Sequence, residues 1–160
     1  MPESLRTRLA RHGFNLFPAY RGTGARITYI ADDWHEVRIA LPLSLRTRNY
    51  VGTIFGGSMY GALDPLYMIM LIKLLGPRYE VWDKAATIRF RRPGRSTLRA
   101  VFRLEDAELE AIRAEVAEQG RCERTYQVAL VDDAGEVYAS CDKLLSIRAR
   151  QKATGGPSAR

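Results

Sequence analysis

One stretch limits the folds open to this chain more than any other. Residues Gly56–Leu75, GGSMYGALDPLYMIMLIKLL, carry only two charges, Asp64 and Lys73. As a helix the stretch is about 30 Å long, at about 1.5 Å per residue. A membrane span is the rival reading. The uninterrupted apolar run, however, covers only residues 66–72, with Asp64, Pro65 and Lys73 around it. A run well short of about 18 residues reads as a buried core helix. A helix apolar around most of its circumference has to be enclosed on several sides.

The rest of the chain supplies the enclosure. Residues 26–30 and 36–43 alternate apolar and polar side chains and read as strands. A long loop, 44–53, leads to the helix. Two further strands, 84–92 and 97–104, flank the turn Pro93-Gly94-Arg95-Ser96. In the second, Leu98, Ala100, Phe102 and Leu104 point one way. Residues 106–119 form an amphipathic helix with the stripe Leu109, Ile112 and Val116, stopped by Gly120. A hairpin of strands 121–131 and 136–147 follows, and Val137, Ala139, Cys141, Leu145 and Ile147 share one of its faces. A short helix over residues 4–11, ended by Gly13, opens the chain. The expectation is an α+β fold: a curved antiparallel sheet around one apolar helix. It forms one domain over residues 1–147, and the polar tail 148–160 is expected to be disordered.

The net charge is +7, from 25 Lys and Arg against 18 Asp and Glu. That balance suits anionic partners, including phosphorylated small molecules, as well as plain solubility. The basic residues are scattered, which argues against a nucleic-acid partner. With Val131 opposite Glu136, Cys122 faces Leu145 and Cys141 faces Tyr126, too far apart for a disulfide. A reducing, cytoplasmic setting fits. The charged start of the chain lacks the apolar core of a signal peptide. His12 and His35 have no partners at ligand spacing, so no metal is expected.

The approach to the helix, RNYVGTIFGGSMYGALD, holds the candidate site. A helix starting at Gly56 and Gly57 presents unpaired N–H groups, and the glycines let another molecule approach the backbone. Such amides could hold a carbonyl oxygen gaining negative charge; equally, the pair is a tight turn into the helix. Asp64, if the helix runs through it, is partly desolvated, which raises its proton affinity toward that of a general base. Alternatively, Asp64 caps a helix beginning at Pro65. In a continuous helix, Pro65 removes the bond to the Gly61 carbonyl and kinks the axis. Asn49 either shapes its loop or orients a water. Tyr60, Tyr67, Met59, Met68 and Met70 read as core packing before they read as a tunnel lining.

The order of elements, with Asn49, Gly52, Gly56, Gly57 and then Asp64, resembles the hotdog fold. It is similar to the phenylacetate-pathway type of acyl-CoA thioesterase and to a related branch of uncharacterised hotdog domains. That pattern runs Asn, two residues, Gly, two residues, His-Gly-Gly and an acid on the helix. The stretch TIRFRRPGRSTLRAVF resembles its third and fourth strands. The resemblance implies Asp64 as general base or nucleophile, Asn49 placing the attacking water, and the Gly56 N–H polarising the thioester carbonyl. Phe55 and Gly57 would line the substrate, and Arg89, Arg91 and Arg92, with Arg95, would meet the coenzyme A phosphates. It implies no cofactor beyond coenzyme A as part of the substrate, an acyl thioester partner, no membrane, and a homodimer or dimer of dimers with the acid and the Asn/Gly elements from opposite subunits. Three departures stand out: Phe55 replaces His, Pro65 follows the acid, and Asp83 lies where Ser or Thr is usual. The alternative reading is a hotdog protein that binds an acyl thioester, or another apolar ligand, without catalysis.

Overall fold

The computed structural model describes residues 2–150. Helix α1, Leu5–Leu16, is longer than expected and runs through Gly13. Ser4 caps it by accepting from the Thr7 N–H, while the Thr7 hydroxyl accepts from the Ser4 N–H. This is a reciprocal box that satisfies first-turn donors. Pro18 forbids helix at Phe17 and starts a second short helix, α2 (Pro18–Gly22), which the sequence reading lacked.

Strands β1 (Arg26–Ile30) and β2 (Glu36–Leu41) pair antiparallel. The second ends two residues earlier than expected, before Pro42, which has no N–H for the ladder. The apolar stretch begins at Gly56, as its glycines suggested, but it breaks. Helix α3 is Gly56–Leu63 and helix α4 is Leu66–Leu75, with Asp64 and Pro65 between them. The cap reading of Asp64 is thereby corrected: Asp64 ends the first helix in helical conformation, and the interruption falls at Pro65 as the reading of a helix begun at Gly56 foretold. Pro65 has no N–H for the Gly61 carbonyl. One residue further on, the Ala62 carbonyl accepts the buried Tyr20 hydroxyl at 3.2 Å. By length and composition Gly56–Leu75 could cross a membrane, yet Met59, Leu63, Leu66, Met70 and Leu71 are buried in the core.

Strand β3 is Tyr79–Phe90, β4 is Leu98–Arg103, helix α5 is Asp106–Gln119, and β5 (Arg121–Val131) and β6 (Val137–Ala149) form the last hairpin. The six strands make one antiparallel sheet in the order β1-β2-β4-β5-β6-β3. Its inner face, with Ile39, Leu98, Phe102, Leu130 and Leu145, holds the broken helix, while Leu109, Ile112 and Val116 of α5 are buried as the stripe foretold. This is the hotdog arrangement. The hairpin register differs from expectation: Val131 faces Val137, so Cys122 pairs with Ile147 and Cys141 with Val128. A shift between Leu130 and Val131 accounts for it. Both cysteines are free and buried. Arg148 and Ala149, expected in the tail, extend β6; residues 151–160 lie outside the described residues.

Candidate functional site

The loop before α3 is held by its own polar groups. Thr47, fully buried, donates its hydroxyl to the Pro42 carbonyl at 2.7 Å. The Thr47 carbonyl accepts the Phe55 N–H at 2.7 Å, and the Gly94 carbonyl accepts the Ile54 N–H at 2.8 Å. The Asn49 side chain organises the turn: Oδ1 accepts the N–H groups of Val51 and Thr53, and Nδ2 donates to the Thr53 hydroxyl. Gly52 closes that turn at φ 83°, a left-handed conformation that favours glycine. The spacing of Asn49 and Gly52 is thus a turn signature in its own right.

Phe55 precedes α3 without capping it by a side chain. The first helical bond runs from the Met59 N–H to the Phe55 carbonyl, which leaves the amides of Gly56, Gly57 and Ser58 as first-turn donors. The glycines serve packing as well. A Cβ on Gly57 would meet the Phe55 ring, and one on Gly56 would come within 3.0 Å of Phe90. Asn49, Gly56, Phe90, Arg91 and Arg92 line a recess of about 380 Å³. Of the expected phosphate-binding arginines, Arg89 pairs with Asp142 at 2.7 Å and Arg92 with Glu136 at 2.9 Å. Arg91 has no carboxylate partner among the described residues.

Asp64 lies elsewhere, on the wall of an apolar groove that Asn49 and Gly56 do not line. Its carboxylate is 39% exposed. Oδ1 accepts the Tyr60 hydroxyl at 2.7 Å and the Lys143 ammonium at 2.6 Å; among the described residues no donor meets Oδ2. Lys143 is 0% exposed and stands 2.9 Å from Asp83 Oδ1 as well, though not in hydrogen-bond alignment. Asp83 reaches this spot because β3 bulges between Asp83 and Ala85, which turns both Asp83 and Ala86 to the inner face.

The electrostatics follow from the geometry. Burial alone would lower the Lys143 ammonium, but the two carboxylates outweigh it and hold the group above its ordinary range. Burial pushes the Asp83 carboxyl up, against the pull of Lys143. Burial, reinforced by the bond to Asp64, raises the Tyr60 phenol. Two carboxylates around one ammonium leave a net negative charge at the helix break. Sequence reasoning missed Lys143, although the alternation that picked out Cys141 and Leu145 as inward-facing passes through it. A lone lysine at an inward position was the signal. Among the described residues no group of three or more His, Cys, Asp or Glu could hold a metal ion.

A family model described as Domain of unknown function (DUF4442) matches residues 6–147. A Pseudomonas aeruginosa protein of unknown function, PA5026, described as a probable thioesterase, is 27% identical, with 94% of this chain and 99% of that chain covered at a TM-score of 0.80. A Chlorobaculum tepidum protein of unknown function is 15% identical over 91% of this chain and 95% of its own, at a TM-score of 0.73. The Haemophilus influenzae thioesterase HI1161 is 13% identical over 96% of this chain and 97% of its own, at a TM-score of 0.68. The last two likenesses show the fold alone. No curated protein matches the chain in sequence.

Proposed function

This chain belongs to the DUF4442 family, and from that footing we propose that it is a thioesterase of the hotdog class, hydrolysing an acyl-CoA with Asp64 assisting the attack of water. The observation that carries the reading is Asp64 itself, a half-buried carboxylate at the break of the core helix, with one oxygen anchored by Lys143 and Tyr60 and the other without a donor among the described residues. The name of PA5026, a relative across almost its whole length, supports the activity class. In the reaction the Oδ2 atom takes a proton from water as the water oxygen bonds to the thioester carbon. The Gly56 amide steadies the oxyanion. The carbon–sulfur bond then breaks, and the departing thiolate takes up the proton held on Oδ2, which restores the Asp64 carboxylate.

The separation of Asp64 from Asn49 and Gly56 supports a site shared between two copies. Strand β3 is bonded on one side only, to β6, and its residues 84–87 are exposed. An unpaired edge of 12 residues is a ready template for a second chain. A two-fold pairing about Thr87 would set the Phe90 end, beside Asn49 and Gly56, against the other copy's stretch at Asp83 and Lys84, beside Asp64. Arg91 and Arg95, without carboxylate partners among the described residues, are the guanidiniums available to a coenzyme A phosphate. The motif spacing favours the phenylacetate-pathway type among the hotdog thioesterases.

The test is release of free coenzyme A from a broad acyl-CoA panel, followed by chromatography. Asp64→Asn should lower kcat by about 10²–10⁴-fold, the usual scale for a general base. Absence of release across the panel, or full activity in Asp64→Ala, overturns the proposal. One observation favours the non-catalytic alternative: among the described residues, every hydrogen bond of the Asn49 side chain is internal to its loop. Saturable acyl-CoA binding without turnover would establish that reading.

A further inference from the structure

A groove of about 600 Å³ lies between the two N-terminal helices and the break in the core helix. That size falls within the range of about 300–1,000 Å³ for small-molecule sites. Tyr20, Ile27 and Leu66 are buried in its floor, and exposed Phe17 stands on its wall. Its polar side chains are three. The Tyr20 hydroxyl is turned into the helix break, donating to the Ala62 carbonyl. The Thr23 hydroxyl donates to the Tyr20 carbonyl at 2.7 Å and accepts the Ala25 N–H at 3.1 Å. Asp64 alone keeps a free polar atom. Every other lining side chain is apolar or is a glycine.

We infer that this groove binds the aliphatic chain of the substrate, with the chain's polar head at Asp64. A ligand carrying donors away from Asp64 would strand them against apolar walls, at a cost no other lining group offsets. An alkyl chain meets that surface without penalty and gains by leaving water. The occupant's identity as an acyl thioester rests on the thioesterase reading, because Asp64 is the acid proposed there. Two glycines keep the passage open. Gly61 faces the Thr23 methyl, where a Cβ would come within 2.8 Å, whereas a Cβ on Gly13 would meet nothing within 4 Å. Gly13 is therefore the place to fill the groove without disturbing its walls.

The inference is tested with the neutral fluorophore N-phenyl-1-naphthylamine, displaced by 1-hexanol, 1-octanol, 1-decanol and 1-dodecanol. Neutral ligands avoid repulsion from Asp64 and require no hydrolysis. The expected result is saturable binding, with alkanol affinity rising about threefold to fourfold per methylene, the step given by about 0.8 kcal/mol per buried CH₂. Gly13→Trp should weaken decanol at least tenfold while circular dichroism stays native. If that variant fails to fold, Ala10→Phe serves in its place. No saturable binding, affinities flat with chain length, or unchanged affinity in the filled variant overturns the inference. Dissociation of an oligomer by decanol would give the groove to a second copy and overturn it too. Lost turnover with intact probe binding removes the thioester head and the thioesterase reading, but leaves an alkyl site. Turnover with no probe binding refutes the groove alone.

Discussion

Lys143 shows how much one side chain can fix. Its ammonium is wholly enclosed, and the Asp64 and Asp83 carboxylates, with the Tyr60 ring 5.5 Å away, hold it in the core. Replacing it with methionine keeps the volume but leaves two acids facing each other. The expected loss is about 3 kcal/mol in urea denaturation at pH 7, at the low end for a broken buried pair because Asp64 meets solvent. The pH dependence has a definite sign. Lys143 holds its proton more tightly when folded, so its contribution is complete below the ordinary lysine value of 10.5 and is lost as pH climbs through the raised one. Asp83 also binds its proton more tightly when folded, so it subtracts stability as pH rises above its ordinary value of 3.8. In Lys143→Met only the acids remain. The gap in melting temperature between variant and parent should therefore narrow from pH 7 to pH 4; a gap that widens refutes the triad. The sequence exposed Asp64 through its motif spacing. It hid the partner, because Lys143 lies far along the chain and meets Asp64 only across the folded core.

The break between α3 and α4 works at the scale of an element. Local sequence offered a helix disturbed by proline or one capped by Asp64, and the chain takes the first: helical backbone begins at Gly56 and is interrupted at Asp64 and Pro65. The Tyr20 hydroxyl from α2 then supplies a donor that the helix cannot. Tyr20→Phe leaves the Ala62 carbonyl buried without that donor, and chemical denaturation should show a loss of about 1–2 kcal/mol. Pro65→Ala restores an N–H for Gly61 and should turn the acid. We expect kcat/KM for acyl-CoA to fall at least tenfold, with stability shifted by no more than about 1 kcal/mol. The amphipathic stripe of α5 and the alternation of β4 were plain in sequence because each buries one face. The first half of β3 was not. Its run YEVWD sets charged residues on both faces, as an edge strand with one bonded side allows. Helix α2 was missed because five residues are too few to show a period.

For the molecule as a whole, the proposed pairing of two copies rests on the open edge of β3. Light scattering should give twice the monomer mass. Thr87→Lys sets like charges across a two-fold strand pair, so the monomer fraction should rise and hydrolysis should fall with it; an unchanged dimer would place the contact elsewhere. The wrapping of sheet around helix was legible because one apolar segment demanded enclosure and alternating strands were there to provide it. The separation of Asp64 from Asn49 and Gly56 was implied by the family resemblance and not by periodicity, since strand order across a sheet is a long-range property. The same enclosure has a practical effect at the bench. Cys122 and Cys141 are buried, and burial pushes both thiols up, away from the reactive thiolate. A disulfide dye used to colour liberated coenzyme A will therefore find a silent protein blank. Any slow yellowing without substrate would count molecules that have come apart.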